Sequence, residues 1–271
     1  MTQTFKNSLT PSPLMPVLFV GHGNPMNAIE QNEFTQTWQI LGESIPRPQA
    51  ILCISAHWET RGTSLTAMPF PKTIHDFGGF PEQLYQVNYP APGNPELANS
   101  LKKQINSTEI KLDTTDWGFD HGAWSVIKHI YPKADIPMIQ MSIDHYQSPE
   151  YHYQLAKELL YLRSRGVLIV GSGNIVHNLR ELNWRDENAK HAWAIEAQEK
   201  VNQAILDGNH QLLIDYKKQA SAFQMAIPTP EHFIPLLYAL GVQTKTDRVS
   251  LFNDKIFMGS LSMTGVLIAE K

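Results

Sequence analysis

The sequence predicts a single α/β domain: a mixed, mostly parallel central sheet flanked by helices, with its active site at the carboxyl ends of the strands. Three observations carry this. Short apolar runs end abruptly in glycine, serine or histidine, helical patterns separate them, and the chain finishes in a hairpin-like stretch. Runs this short and this apolar fit strands buried on both faces. Strand and helix in alternation imply βαβ units with right-handed crossovers.

The predicted strands are Pro16–Val20 running into Gly21-His22-Gly23, Ala50–Ile54 into Ser55-Ala56-His57, Pro137–Met141 into Ser142, and Val167–Val170 into Gly171-Ser172-Gly173. Between them, Phe34, Trp38 and Leu41 line one face of a helix with Asn32 as its candidate N-cap. Asn94-Pro95-Glu96 and Ser148-Pro149-Glu150 each open a helix with a cap residue and a first-turn proline. The second of these is expected to run through Leu155, Leu159, Leu160 and Leu162 to Gly166. Another helix spans roughly Ala192–Leu206. Val249–Phe252 and Ile256–Ile268 read as a hairpin turning at Asn253-Asp254, so the sheet is mixed. With no repeat and no linker, residues 16–271 form one catalytic domain and residues 1–15 a flexible leader without the layout of a signal peptide.

Composition narrows the function. The 271 residues are 42% apolar, enough for a substantial core, and 22 basic against 26 acidic residues give a net charge of −4. That balance argues against a broad nucleic-acid footprint, and no apolar run is long enough for a membrane span. The lone cysteine, Cys53, excludes an internal disulfide. It sits in an apolar run as a small buried residue, and cysteine usage fits a cytoplasmic protein. The oligomeric state is left open.

Eleven histidines stand out by position more than by number. His22 and His57 follow predicted strands directly, and His177 follows a third by a short glycine-rich loop. Sites in open α/β sheets gather beyond the carboxyl ends of strands. Neutral imidazole is a common ligand for zinc, iron and copper. His121 lies among aromatics, with Asp120 able to cap a helix beginning there. Thr229 is a natural N-cap with Pro230 in the first turn, so that Glu231 and His232 would both present side chains at an open helix end. Either of the two suits a metal. The loop Gly171-Ser172-Gly173 is not a dinucleotide fingerprint, because Val176 stands where the third glycine belongs.

In order, Gly21-His22-Gly23-Asn24-Pro25, Ser55-Ala56-His57-Trp58, His75-Asp76-Phe77-Gly78-Gly79-Phe80-Pro81, Gly118-Phe119-Asp120-His121-Gly122, Gly171–Leu179, Thr229-Pro230-Glu231-His232-Phe233 and Met258–Met263 cover nearly the whole chain. In these motifs the sequence resembles the class III extradiol ring-cleaving dioxygenases, in their DOPA 4,5-dioxygenase branch. The resemblance implies a mononuclear site, Fe(II) in active enzyme, held by His22, His57 and a third ligand. That ligand is His232, with Glu231 as its rival. Three neutral ligands would also hold Zn²⁺ in purified protein, with His177 a fourth ligand in the absence of substrate. The resemblance further implies catechol and O₂ as reactants and a muconic semialdehyde as product. His177 would take a catechol proton and His121 would act as the acid assisting the later rearrangement. Trp58 and Trp124 are the aromatic candidates for the ring pocket, with Trp117 and Phe119 beside them. Lys72 and Arg180 are the cations considered for a substrate carboxylate. Two other readings fit the same histidines: a zinc-dependent hydrolase and a metal-free binding protein of this fold.

Overall fold

The computed structural model describes residues 9–270. In chain order the strands are β1 Val17–Gly21, β2 Ala50–Thr60, β3 Thr63–Thr66, β4 Lys72–Thr73, β5 Ile110–Asp113, β6 Gly118–Phe119, β7 Met138–Asp144, β8 Val167–Gly173, β9 Asp247–Phe252, β10 Ile256–Phe257, β11 Leu261–Ser262 and β12 Gly265–Glu270. The α-helices are α1 Glu33–Ser44, α2 Glu82–Tyr85, α3 Pro95–Gln104, α4 His121–Ile130, α5 Pro149–Lys157, α6 Ala192–Leu206, α7 His210–Ile214, α8 Ser221–Ala226 and α9 Ile234–Gly241. Eight strands make the main sheet in the order β5-β3-β7-β2-β8-β1-β12-β9. The central four, β7, β2, β8 and β1, are parallel, while β12 and β9 add an antiparallel edge and β3 pairs antiparallel with β7. The predicted mixed, mostly parallel sheet is therefore the one observed.

Alternation along the central strands builds two cores, as a sheet covered on both faces requires. Phe19, Leu52, Ile54, Ile139 and Ile169 face one side and pack with α5, α6 and α9. Leu18, Val20, Ile51, Cys53, Leu168 and Val170 face the other and pack with α1 and α4. Cys53 is buried as expected.

The cap signals of α1, α3 and α5 hold. Asn32 accepts from the backbone N–H groups of Phe34 and Thr35, while the Thr35 hydroxyl accepts from the Asn32 N–H, a reciprocal capping box. Asn94 and Ser148 cap α3 and α5, each with proline in the first turn. The helix expected to reach Gly166 ends earlier, at Lys157. Its leucines continue in a tighter 3₁₀ segment, Leu160–Arg165, which Gly166 closes at φ +70°. The C-terminal pairing also differs from expectation. The partner of β9 is β12, and residues 253–264 form an excursion carrying the small β10–β11 hairpin. Residues 1–8 of the expected leader lie outside the described residues. Residues 9–15 are held to the domain: Met15 is buried and its N–H donates to the Arg163 carbonyl at 2.8 Å, while that of Ser12 donates to Ser164 at 3.0 Å. Among the described residues no helix is long and apolar enough to cross a membrane.

Candidate metal and catalytic site

Because β2, β8 and β1 are neighbours and parallel, their carboxyl ends emerge side by side. His22 follows β1, and its N–H continues the ladder to the Gly173 carbonyl at 3.0 Å. His57 lies inside β2, which extends six residues past the apolar run to Thr60. Its pairing with β8 ends at Ser55, and its register against β7 shifts between Ile54 and Glu59. That irregularity turns the His57 ring to the sheet end, a common use of a bulge near a site.

His232 arrives from the far side of the sheet. Thr229 does not cap a helix there. Pro230–Phe233 form a turn, and α9 starts at Ile234 with Pro235 in its first turn. This turn lies directly against β8. A Cβ on Gly173 would stand 2.1 Å from the His232 carbonyl oxygen, and one on Gly171 would stand 2.3 Å from that of Pro235. The glycines of Gly171-Ser172-Gly173 thus admit a backbone at the closest approach, and Asn174 N–H donates to the His232 carbonyl at 2.8 Å.

His22, His57 and His232 each bring one ring nitrogen into a group whose members all lie within 4.8 Å of one another. Their ring centroids are 5.0 to 5.3 Å apart. The far nitrogens have partners. The Ser172 hydroxyl donates to the Gly122 carbonyl at 2.5 Å, so it can only accept from His22 Nδ1–H at 3.0 Å. The Glu231 carboxylate accepts from His232 Nδ1–H at 3.0 Å and from the Thr229 hydroxyl at 2.8 Å. Asp76 Oδ2 lies 3.4 Å from His57 Nδ1. These partners protonate Nδ1 and leave Nε2 as a lone pair aimed inward.

Burial pushes His22 and His232 well below the ordinary imidazole range, and His57 down to about 3, with the mutual repulsion of the rings adding to it. All three are neutral at pH 7, the state a ligand needs. His22 Nε2 and His57 Nε2 stand only 3.1 Å apart. Two lone pairs that close repel unless something positive lies between them. Roughly 3.0–3.4 Å is also the spacing of two nitrogens that share one ion at ordinary bond lengths. The donor set fits a metal ion.

Around this trio sit His121 and His177. Asp120 does cap α4, as the structural reading of that motif required, and His121 opens the helix facing the site. Asp120 also accepts from Ser55 at 2.6 Å and from Gln140 at 2.7 Å, which ties the start of α4 to β2 and β7. The His177 ring lies flat on that of His232, with centroids 3.4 Å apart and planes 7° apart. Its nitrogen groups with Glu231 and His232, not with the His22–His57 pair. Burial lowers His177 to about 4.

A cavity of about 280 Å³ opens over the histidines, near the lower end of the roughly 300–1,000 Å³ usual for small-ligand pockets. Besides the histidines, its lining includes Phe80, Leu179, Leu182, Trp184, Phe257 and Met258. Trp58 and Trp124, the aromatic candidates of the sequence, are not among its lining residues. Trp58 stacks on Trp117, with centroids 5.6 Å apart. Trp124 is wholly buried, and its Nε1–H donates to the Ile74 carbonyl at 2.8 Å. Neither Lys72 nor Arg180 reaches the cavity wall.

The sequence reading assigned no role to Asp76, though its motif was noticed. Asp76 Oδ1 accepts from the His121 backbone N–H at 2.9 Å, and Oδ2 lies 3.0 Å from His121 Nδ1, close but off the ideal hydrogen-bond line. Burial pushes the Asp76 carboxyl up, but its bond with His121 and the charges of His121 and His57 outweigh this and hold it below the usual carboxylate range. Ser172 was likewise read only as part of a loop.

Fold and site together define an α/β protein with a histidine centre at its strand ends able to hold one metal ion. Residues 13–260 match the family model described as the catalytic LigB subunit of aromatic ring-opening dioxygenase, and the chain belongs to that family. It is 45% identical to the 4,5-DOPA dioxygenase extradiol of Escherichia coli K12 over 271 residues, covering 99% of this chain and 100% of the relative. It is 36% identical to the protein of the same name from Beta vulgaris, covering 90% and 92%. A crystal structure of an uncharacterized protein from Escherichia coli K12 superposes with a TM-score of 0.82 at 40% identity, covering 94% of this chain and all of that one. The chain is thus an extradiol ring-opening dioxygenase of a metal-dependent family.

Proposed function

We propose that this enzyme cleaves a catechol beside its diol with O₂ to give a muconic semialdehyde, and that His22, His57 and His232 hold the metal. One observation carries the reading: three neutral imidazoles converge, each with Nδ1 facing an acceptor oxygen and Nε2 aimed at a shared point. Fe(II) is the ion expected in working enzyme, and the same ligands suit Zn²⁺ in purified protein. When bound, iron supplies Lewis acidity and a redox couple. The ring bond next to one hydroxyl-bearing carbon breaks. Both atoms of O₂ enter the product, one completing a carboxylate and one an aldehyde, so no outside reductant is needed.

The chain's own residues supply binding and proton transfer. His177 is neutral at pH 7 and borders the cavity, so an imidazole nitrogen there can accept a catechol proton. His121, with its Nδ1 against Asp76, offers its other nitrogen to the cavity as the acid that assists rearrangement. Phe80, Leu182, Phe257 and Met258 offer the ring an apolar surface to pack against. The relatives named for 4,5-cleavage of DOPA make DOPA a first compound to try.

The test is oxygen uptake by anaerobically iron-loaded protein offered DOPA, protocatechuate and catechol, with visible absorbance recorded. Uptake with a yellow product is the expected result. No uptake with any of the three, in protein shown to hold iron, would replace this reading with a zinc hydrolase.

A further inference from the structure

No lysine or arginine lines the cavity over the histidines among the described residues. A second cleft of about 520 Å³ adjoins it and shares Asn24, Trp184, Phe257 and Met258 with it. Lys255 lines this outer cleft, but it is paired with Glu33. A carboxylate on a bound catechol must therefore find its donor among uncharged groups, and four asparagines line the two clefts. Two of them are engaged: Asn27 Nδ2 donates to the His22 carbonyl at 3.1 Å, and Asn32 Nδ2 donates to Asn27 Oδ1 at 2.9 Å. Asn188 lines the outer cleft alone, whereas Asn24 lines both.

The half-buried Asn24 amide is also fixed in orientation. Its Oδ1 accepts from the Met26 backbone N–H at 2.9 Å. Only the oxygen of an amide can meet an N–H, so the other end is the NH₂ group. Among the described residues Nδ2 donates to no protein group. An unused donor is thus held two residues after His22, at the boundary of the two clefts. In a cavity of about 280 Å³, a ring over the histidines extends a short side chain to that boundary.

From this, and resting on the ring-cleavage reading above, we infer that Asn24 is a specificity-determining residue. Its Nδ2–H donates to a carboxylate on the side chain of the catechol and favours such catechols over those without one. Hydrogen bonds to a charged acceptor are stronger than those between neutral groups, and a half-buried position places the effect at the lower end, about tenfold.

The test measures oxygen uptake by iron-loaded protein with DOPA, dopamine and 4-methylcatechol. DOPA and dopamine share the catechol and the ammonium and differ in the carboxylate. Wild type should favour DOPA over dopamine in kcat/KM by about tenfold or more. Asn24→Asp keeps the shape and an oxygen for the Met26 N–H, and puts a carboxylate oxygen where Nδ2 stood. It should lower the DOPA-to-dopamine ratio by about tenfold or more. A change in metal content would scale both rates together and leave that ratio unmoved. Asn24→Ala, which removes the donor without adding charge, should lower the ratio in the same direction. Asn188→Asp adds the same charge to the outer cleft only and should change the ratio by less than about threefold. No preference for DOPA in wild type, an unchanged ratio in Asn24→Asp, or an equal fall in Asn188→Asp overturns the inference and leaves ring cleavage standing. Oxygen uptake with none of the three compounds overturns both.

Discussion

Asp76 offers the sharpest test of how this site is held. One carboxylate touches two site imidazoles, at 3.0 Å from His121 Nδ1 and 3.4 Å from His57 Nδ1, and also accepts the His121 backbone N–H at 2.9 Å. Asp76→Asn keeps the shape, and its amide oxygen can still take the backbone bond. The amide nitrogen then faces the two Nδ1 atoms as a donor. One imidazole must turn to the opposite tautomer, placing a hydrogen on the nitrogen that should face the centre. A hydrogen bond to a charged group is worth about 1.5–3 kcal/mol, and losing the carboxylate behind a ligand histidine costs typically about 10–100-fold in metal affinity or activity. The longer His57 contact places the metal effect at the lower end, about tenfold, with a larger fall in kcat through His121. Apo-protein titrated with Zn²⁺ against a chromophoric chelator gives the affinity, and circular dichroism verifies the fold. Metal affinity and kcat both within twofold of wild type would refute the claim that Asp76 sets these tautomers.

Further outcomes follow from the same geometry. His177→Ala should lower turnover by 10²-fold or more, on the order expected for a general base, with metal content unchanged by elemental analysis. Loss of metal in that variant would make His177 a ligand first. Gly122→Ala would put a Cβ 2.6 Å from Ser55 Oγ and 2.8 Å from His57 Cδ2, so the ring must shift. Metal affinity should fall while the urea midpoint moves far less than in a core-cavity variant. Arg163 and Asp247 form a wholly buried two-bond ion pair at 2.6 and 2.8 Å, and Asp247→Asn should cost about 3–5 kcal/mol by urea unfolding at pH 7. Burial raises the Asp247 carboxyl, but bonds from Arg163 and Thr244 hold it below the usual range. Its contribution is therefore full above the unfolded carboxylate value of about 3.9. It is lost as pH falls through the lower folded value, so the gap between wild type and variant should narrow below about pH 4.

What the sequence disclosed depended on how local each signal was. The central strands announce themselves because both faces are buried, which leaves uninterrupted apolar runs such as Val17–Val20 and Val167–Val170. The caps Asn32, Asn94 and Ser148 are read from a few adjacent residues and hold in the structure. The edge strands β3 and β5, four residues each and rich in Thr, Ser, Lys and Asp, lack that signature and were missed. The ends of the apolar runs were enough to single out His22, His57 and His177, although β2 itself continues past His57 to Thr60. The site's supports could not be seen this way. That the Ser172 hydroxyl is engaged by Gly122, or that Asp76 reaches across to α4, depends on contacts 50 and 45 residues apart in sequence. The lining of the cavity was hidden for a related reason. Trp58 and Trp124 stand near site histidines in sequence yet are buried outside the cavity lining, while Trp184 and Phe257, which line it, fall just outside the quoted motifs.

Glu231 and His232 enter the sequence as rivals for one metal position, and the structure makes them a pair. The Glu231 carboxylate accepts from His232 Nδ1–H at 3.0 Å, while the opposite nitrogen of His232 joins His22 and His57. The negative charge that a carboxylate ligand would bring is thus still present, displaced outward by one imidazole. A neutral ring backed by an ionised acceptor is a stronger donor than the ring alone. Two substitutions separate the contributions. His232→Ala removes a proposed ligand and should abolish stoichiometric metal binding. Glu231→Gln retains an oxygen that can accept from His232 and from the Thr229 hydroxyl, and removes only the charge. It should weaken metal binding by about tenfold, with His232 still in place. If Glu231→Gln lost metal as completely as His232→Ala, the carboxylate would be a ligand in its own right. If it changed nothing, the charge behind His232 would have no part in holding the ion.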